Sequence, residues 1–101
     1  MADFYMKLYR REAGSLVAVC DKNVVGKTLK DGDVEVTIST HFYQGEEVTA
    51  TTVLAALNNA FAGNFFGKKA VALAKKAGLI DKSSVKIIAK IPHAQFIRMT
   101  L

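Results

Sequence analysis

Leu16-Val17-Ala18-Val19-Cys20 is an unbroken apolar run between Ser15 and Asp21, and its reading decides the fold. A strand with one wet face alternates apolar and polar residues, so a short continuous run predicts a strand covered on both faces. Upstream, Phe4, Met6 and Leu8 alternate with Tyr5, Lys7 and Tyr9, the period of a half-buried strand. Glu12-Ala13-Gly14-Ser15 supplies a turn between them, and the two segments are expected to form a hairpin.

Working outward, Asp21 to Asp33 is polar and turn-prone, punctuated by Gly26 and Asp31-Gly32-Asp33. Val34, Val36 and Ile38 alternate with Glu35, Thr37 and Ser39, which predicts a third strand. Phe42 to Val48 reads as a loop. Thr49 or Thr51 can cap a helix in which Val53, Leu54, Leu57, Ala60 and Phe61 share a face, with Gly63 as its stop. A second helix is predicted from about Gly67 to Ala77, ended by Gly78. At 100° per residue its Lys68, Lys69, Lys75 and Lys76 fall within an arc of roughly 120°, opposite Phe66, Ala70, Leu73, Ala74 and Ala77. Val85, Ile87, Ala89 and Ile91, with Lys86 and Lys90 on the other face, predict a fourth strand. Pro92-His93-Ala94 is expected to interrupt it, and Gln95 to Leu101 to form a fifth. The expectation is an α+β fold: about five mostly antiparallel strands with two consecutive helices packed on one side, in a single domain over residues 1–101.

Composition bounds the function. Half of the 101 residues are apolar and 23% are charged, which excludes a disordered chain. One proline and one cysteine exclude a collagen-like chain, a disulfide framework and a CxxC zinc module. The apolar stretches fall far short of the roughly 20 residues of a membrane span, and residues 1–15 carry charges where a signal peptide is apolar. A cytoplasmic protein without a membrane partner is expected, as monomer or homodimer. The net charge of +5 is unevenly distributed: residues 1–47 hold six bases against eight acids, and residues 48–101 hold eight bases against Asp81 alone. Such asymmetry points to a polyanion or an acidic partner on the C-terminal side.

No motif names a reaction. Gly26-Lys27-Thr28 lacks the first glycine of a phosphate-cradling GxxxxGK[ST] loop, since Asp21 stands there, and Gly63 to Lys68 has the wrong spacing. Cys20, His41 and His93 are the soft-metal candidates, but no two lie at a ligand spacing, so no metal and no cofactor are expected. His93 beside Pro92 could act as a general base with Gln95 at its side. Asn64 and Glu46 are the further members of a polar pocket that a small enzyme or ligand binder would need. Glu46 and Glu47, as sequence neighbours, would point apart in an extended segment. Tyr5 and Tyr9 flank Lys7 on one strand face, an arrangement that can stack unpaired bases.

Val17-Ala18-Val19-Cys20-Asp21, Gly26-Lys27-Thr28 and Phe42-Tyr43-Gln44-Gly45-Glu46-Glu47-Val48, followed by Asn64-Phe65-Phe66-Gly67, Ala70-Val71-Ala72-Leu73-Ala74, Gly78-Leu79 and Pro92-His93-Ala94-Gln95, resemble in order the archaeal family catalogued as domain of unknown function 424. The resemblance runs from about residue 4 to residue 99. It implies a small archaeal cytoplasmic protein associated with information processing, translation above all, and it carries no catalytic residues over. Residues and resemblance together lead to an RNA-binding or ribosome-associated protein without catalysis of its own. Lys68, Lys69, Lys75 and Lys76, with Lys86, Lys90 and Arg98 on neighbouring strands, would contact phosphates, and Tyr5, Tyr9 or Phe42 would stack bases. The alternatives are the polar pocket of His93, Gln95, Asn64 and Glu46, or a protein-interaction module with an apolar patch near Phe42, Tyr43 and Phe65.

Overall fold

The apolar run becomes an inner strand of a six-stranded sheet. In the computed structural model, which describes residues 2–98, β1 (Phe4–Arg11) and β2 (Gly14–Asp21) form the expected antiparallel hairpin, with Phe4 opposite Asp21 and Tyr9 opposite Leu16. Val17, Ala18, Val19 and Cys20 are each 0% exposed. Covering layers on both faces of the sheet explain why this strand does not alternate.

The chain continues through a small hairpin of β3 (Thr28–Asp31) and β4 (Val34–Thr37), a one-turn helix α1 (Thr40–Tyr43) and β5 (Glu46–Val48). Then come α2 (Ala50–Leu57), β6 (Ala60–Phe66), α3 (Lys68–Lys76), a 3-10 turn at Lys82–Ser84, β7 (Lys86–Ile88) and β8 (Ile91–Ile97). The sheet order is β5-β1-β2-β6-β8-β7, antiparallel throughout except for the parallel pair β2–β6. On one face α2 and α3 close over Phe4, Met6, Val17, Val19, Phe65, Ala94 and Phe96. On the other, Leu29, Ile38 and Tyr43 from the hairpin and α1 region pack on Ala18, Cys20 and Phe66.

The fold is α+β with a mostly antiparallel sheet, but the described residues form eight strands and three helices where five and two were expected. Each difference has a local cause. Polar Thr28–Asp31 pairs with β4 and buries only Leu29, so its composition hides a strand. The expected loop at 42–48 holds the end of α1, capped by the Ser39 hydroxyl that accepts from Phe42 N at 3.1 Å, and the short edge strand β5. Helical spacing from Val53 stops at Leu57, and Ala60 and Phe61 belong to β6 instead. The predicted strand over 85–91 folds back on itself at Ala89 (φ 47°) and Lys90 (φ 71°), a two-residue connection of the primed kind made without glycine. Pro92 does not interrupt: β8 runs through it from its second position, and its carbonyl accepts from Gly67 N at 2.9 Å. The end of the expected last strand, residues 99–101, lies outside the described residues.

Candidate anion-binding surface

The surface is built from the β6–α3 junction. Gly67 joins them with φ 114°, a conformation that side chains avoid, and a Cβ there would run into the Asp21 carboxyl group, 2.7 Å from Oδ2. That carboxylate, only 6% exposed, accepts from the backbone N–H groups of Lys69 at 3.0 Å and Ala70 at 2.8 Å. Asp21, remote in sequence, therefore caps α3 in place of the capping side chain that Gly67 lacks. The junction has the strand–Gly-Lys–helix order of a phosphate loop, but an internal carboxylate already occupies the amides that a phosphate would need.

Lys68, at the first position of α3, stands where three clefts meet. One, of about 420 Å³, runs between α3 and β7, floored by Val71, Val85, Ile87 and Pro92 and rimmed by Lys68, Lys75 and Lys82. A second, of about 540 Å³, adds Asp3, Lys22 and Lys69. A third, of about 270 Å³, is lined by Asp21, Asn23, Val24, Lys27, Lys68, Lys90 and Ile91. Among the described residues, Lys68, Lys75, Lys76, Lys82, Lys86 and Lys90 have no carboxylate within 4.0 Å, whereas Lys69 pairs with Asp3 at 3.7 Å.

The expected cations do not all assemble. Lys68, Lys69, Lys75 and Lys90 share these clefts, and Lys76 lies on the same helix in its last turn. Lys86 is the cross-strand neighbour of His93, on the sheet face away from α3. Arg98 is elsewhere, donating to Asn58 O at 3.4 Å and Leu57 O at 3.5 Å at the C-terminal end of α2, where its charge suits the helix dipole. Three cations that line the clefts, Lys22, Lys27 and Lys82, were not among the predicted contacts, and Lys22 is paired with Glu47 at 2.7 Å. The one available signal was the repeat of a Gly-Lys pair at 26–27 and 67–68.

The polar-pocket residues are only partly together. Asn64 and Gln95 are cross-strand partners, with His93 two positions along β8 on the same sheet face, its ring centroid 4.6 Å from that of Phe66. Glu46 pairs with Met6 on the edge strand β5, so it lies on the opposite face and three strands from β6. Burial and the Lys86 charge hold the His93 imidazole below its ordinary value. Burial and neighbouring Asp21 push the Cys20 thiol up to about 12.

Tyr9 and Phe42 are not an open stacking platform. Their rings stack on each other at 5.2 Å, and Tyr9 OH donates to Phe42 O at 2.8 Å, within the layer opposite α3. Tyr5 belongs to the same layer, with the Lys22 ammonium 6.0 Å from its ring centroid. Nor do Tyr43 and Phe65 make an exposed apolar patch, at 6% and 0% exposure. No described helix is long and apolar enough to cross a membrane.

Comparison with known proteins agrees with this architecture. A crystal structure of an uncharacterized conserved protein from Methanopyrus kandleri superposes with a TM-score of 0.77 at 21% identity, covering 97% of this chain and 95% of that one. The likeness is one of fold. No curated protein matches the chain. A family model does match, over residues 9–99, and on that match the chain belongs to the family described as protein of unknown function DUF424.

Proposed function

We propose that this protein binds RNA through the α3–β7 surface and has no catalysis of its own, consistent with a role beside the translation machinery. The observation that carries this reading is the groove of Lys68, Lys75 and Lys82, whose ammonium groups have no carboxylate within 4.0 Å among the described residues. Unpaired ammonium groups around an apolar floor suit a strand whose phosphates lie on the rim and whose bases rest on Val71, Val85, Ile87 and Pro92. Base contact through this aliphatic floor replaces the expected role of Tyr9 and Phe42.

Filter binding of single-stranded RNA across a salt series tests it. Each phosphate neutralised on a single strand contributes about −0.7 to the slope of log K against log salt, so three rim lysines predict a slope near −2. Charge reversal in Lys68→Glu/Lys75→Glu should remove most of that slope and most of the affinity. An affinity that is absent at about 50 mM salt, or indifferent to the reversal, rejects RNA binding at this surface.

A further inference from the structure

The smallest of the three clefts differs in kind from the groove beside it. Its cations come from three separate segments, the loop after β2, the start of α3 and the β7–β8 turn, and each follows a residue of positive φ: Gly26 (83°) before Lys27, Gly67 (114°) before Lys68, Ala89 (47°) before Lys90. The framework is tied down by hydrogen bonds. Ile38 N donates to Lys27 O at 2.8 Å, Gly26 N donates to Ile38 O at 2.7 Å, and Ala89 N donates to the Asp31 carboxylate at 2.9 Å. The positive φ at Ala89 and Lys90 is what the two-residue β7–β8 turn requires, and that turn fixes where Lys90 stands.

Charge then selects the ligand. Three lysines stand against one carboxylate, Asp21, which leaves the lining at +2. The Asp21 charge is itself engaged by the α3 amides, whose helix end carries about half a positive charge. A phosphomonoester carries about −1.5 to −2 at pH 7, whereas an internal phosphodiester carries one charge. At about 270 Å³ the cleft is smaller than the roughly 300–1,000 Å³ of sites for drug-sized ligands. It has room for a phosphate and its ester oxygen with part of a sugar, and Lys68 connects it to the apolar groove where a base would continue. We infer that Lys27, Lys68, Lys90 and Asn23 form a phosphomonoester site, which, resting on the RNA-binding reading, takes the terminal phosphate of a strand.

The test is the affinity of one short single-stranded RNA sequence with a 5′-phosphate, with a 3′-phosphate and with hydroxyls at both ends, by fluorescence anisotropy at fixed salt. An end-phosphorylated strand should bind about tenfold tighter or more, the worth of one charge-assisted contact. Lys27→Gln/Lys90→Gln should abolish that preference while leaving the hydroxyl strand within about twofold, and Lys76→Gln should leave the preference intact. Equal affinity for all three strands, or a preference that survives in the double variant, overturns the site while RNA binding stands. Should no strand bind, a ³¹P titration with AMP decides the cleft by itself: a shift lost in Lys27→Gln/Lys90→Gln upholds a phosphomonoester site, and no shift overturns it. Both lysines are exposed, so each variant should keep the parent's thermal midpoint, which is the check that it is folded.

Discussion

Removing the Asp21 carboxylate should unlatch α3 from the sheet, and the structure sets the size of the effect. Asp21→Ala deletes a buried acceptor of two backbone N–H bonds at 3.0 and 2.8 Å. Loss of an N-cap costs about 0.5–2 kcal/mol, and burial of the freed Ala70 amide adds to it, giving about 3 kcal/mol in all. For a chain of this length that is a fall of roughly 12–24 °C in Tm. Gly67→Ala should cost as much by another route, because it places a side chain at φ 114° and drives a Cβ into the same carboxyl group. The two costs share an atom group, so they cannot add. In Asp21→Ala/Gly67→Ala the clash with the carboxyl group has gone and only the approach to Cβ of residue 21, at 2.8 Å, remains, so the double variant should be about 1–2 kcal/mol more stable than the sum of the singles predicts. Urea titrations of the four proteins, read as midpoint shifts at constant slope, measure this. Additivity within about 0.5 kcal/mol, or a Gly67→Ala protein as stable as the parent, would refute the capping argument.

Three further outcomes follow from single residues. His93 titrates below its ordinary value of 6.5 when folded, so the unfolded chain takes up its proton first as the pH falls. Stability from this group is complete above pH 6.5 and is lost below it; His93→Gln should flatten that part of the stability profile, and Lys86→Gln should raise the imidazole pKa in an NMR titration. Cys20, fully buried with its pKa near 12, should resist a thiol reagent in the native protein and react once in denaturant; prompt native labelling contradicts the packing of β2. Ala89→Gly removes the penalty of φ 47° while keeping the N–H that Asp31 accepts, and should stabilise by about 0.5–1 kcal/mol in thermal melts.

The readable parts of the fold were those whose signal is local. The 16–20 run declared its burial because five apolar neighbours admit few other arrangements, and the α3 lysine arc follows from helical period alone. β6 was unreadable for a physical reason. In Ala60-Phe61-Ala62-Gly63-Asn64-Phe65-Phe66 the small residues carry no alternation, and Gly63, which reads as a helix stop, is a strand residue whose missing side chain lets the Phe65 and Phe96 rings lie stacked 6.1 Å apart. Its parallel partner β2 lies beyond an intervening hairpin and two helices, and such long-range pairing leaves no mark on either segment.

The same distinction between local and tertiary information governs the surface. Lysines on one helix announce a basic face, yet a face of that kind binds any polyanion diffusely. What can make this surface selective is Lys27 and Lys90 lining one cleft with Lys68 at the start of α3, and both are placed by tertiary devices: the Gly26 turn closed by Ile38, and the glycine-free β7–β8 turn held by Asp31. Asp21 belongs to the same logic. By closing the α3 amides from within, it denies an anion the helix terminus and leaves the lysine side chains as the groups that can engage one. Selectivity at this surface therefore depends on side-chain cations and their spacing, so neutralising Lys27 and Lys90 should alter which strands bind, while neutralising Lys75 and Lys82 should alter only how tightly.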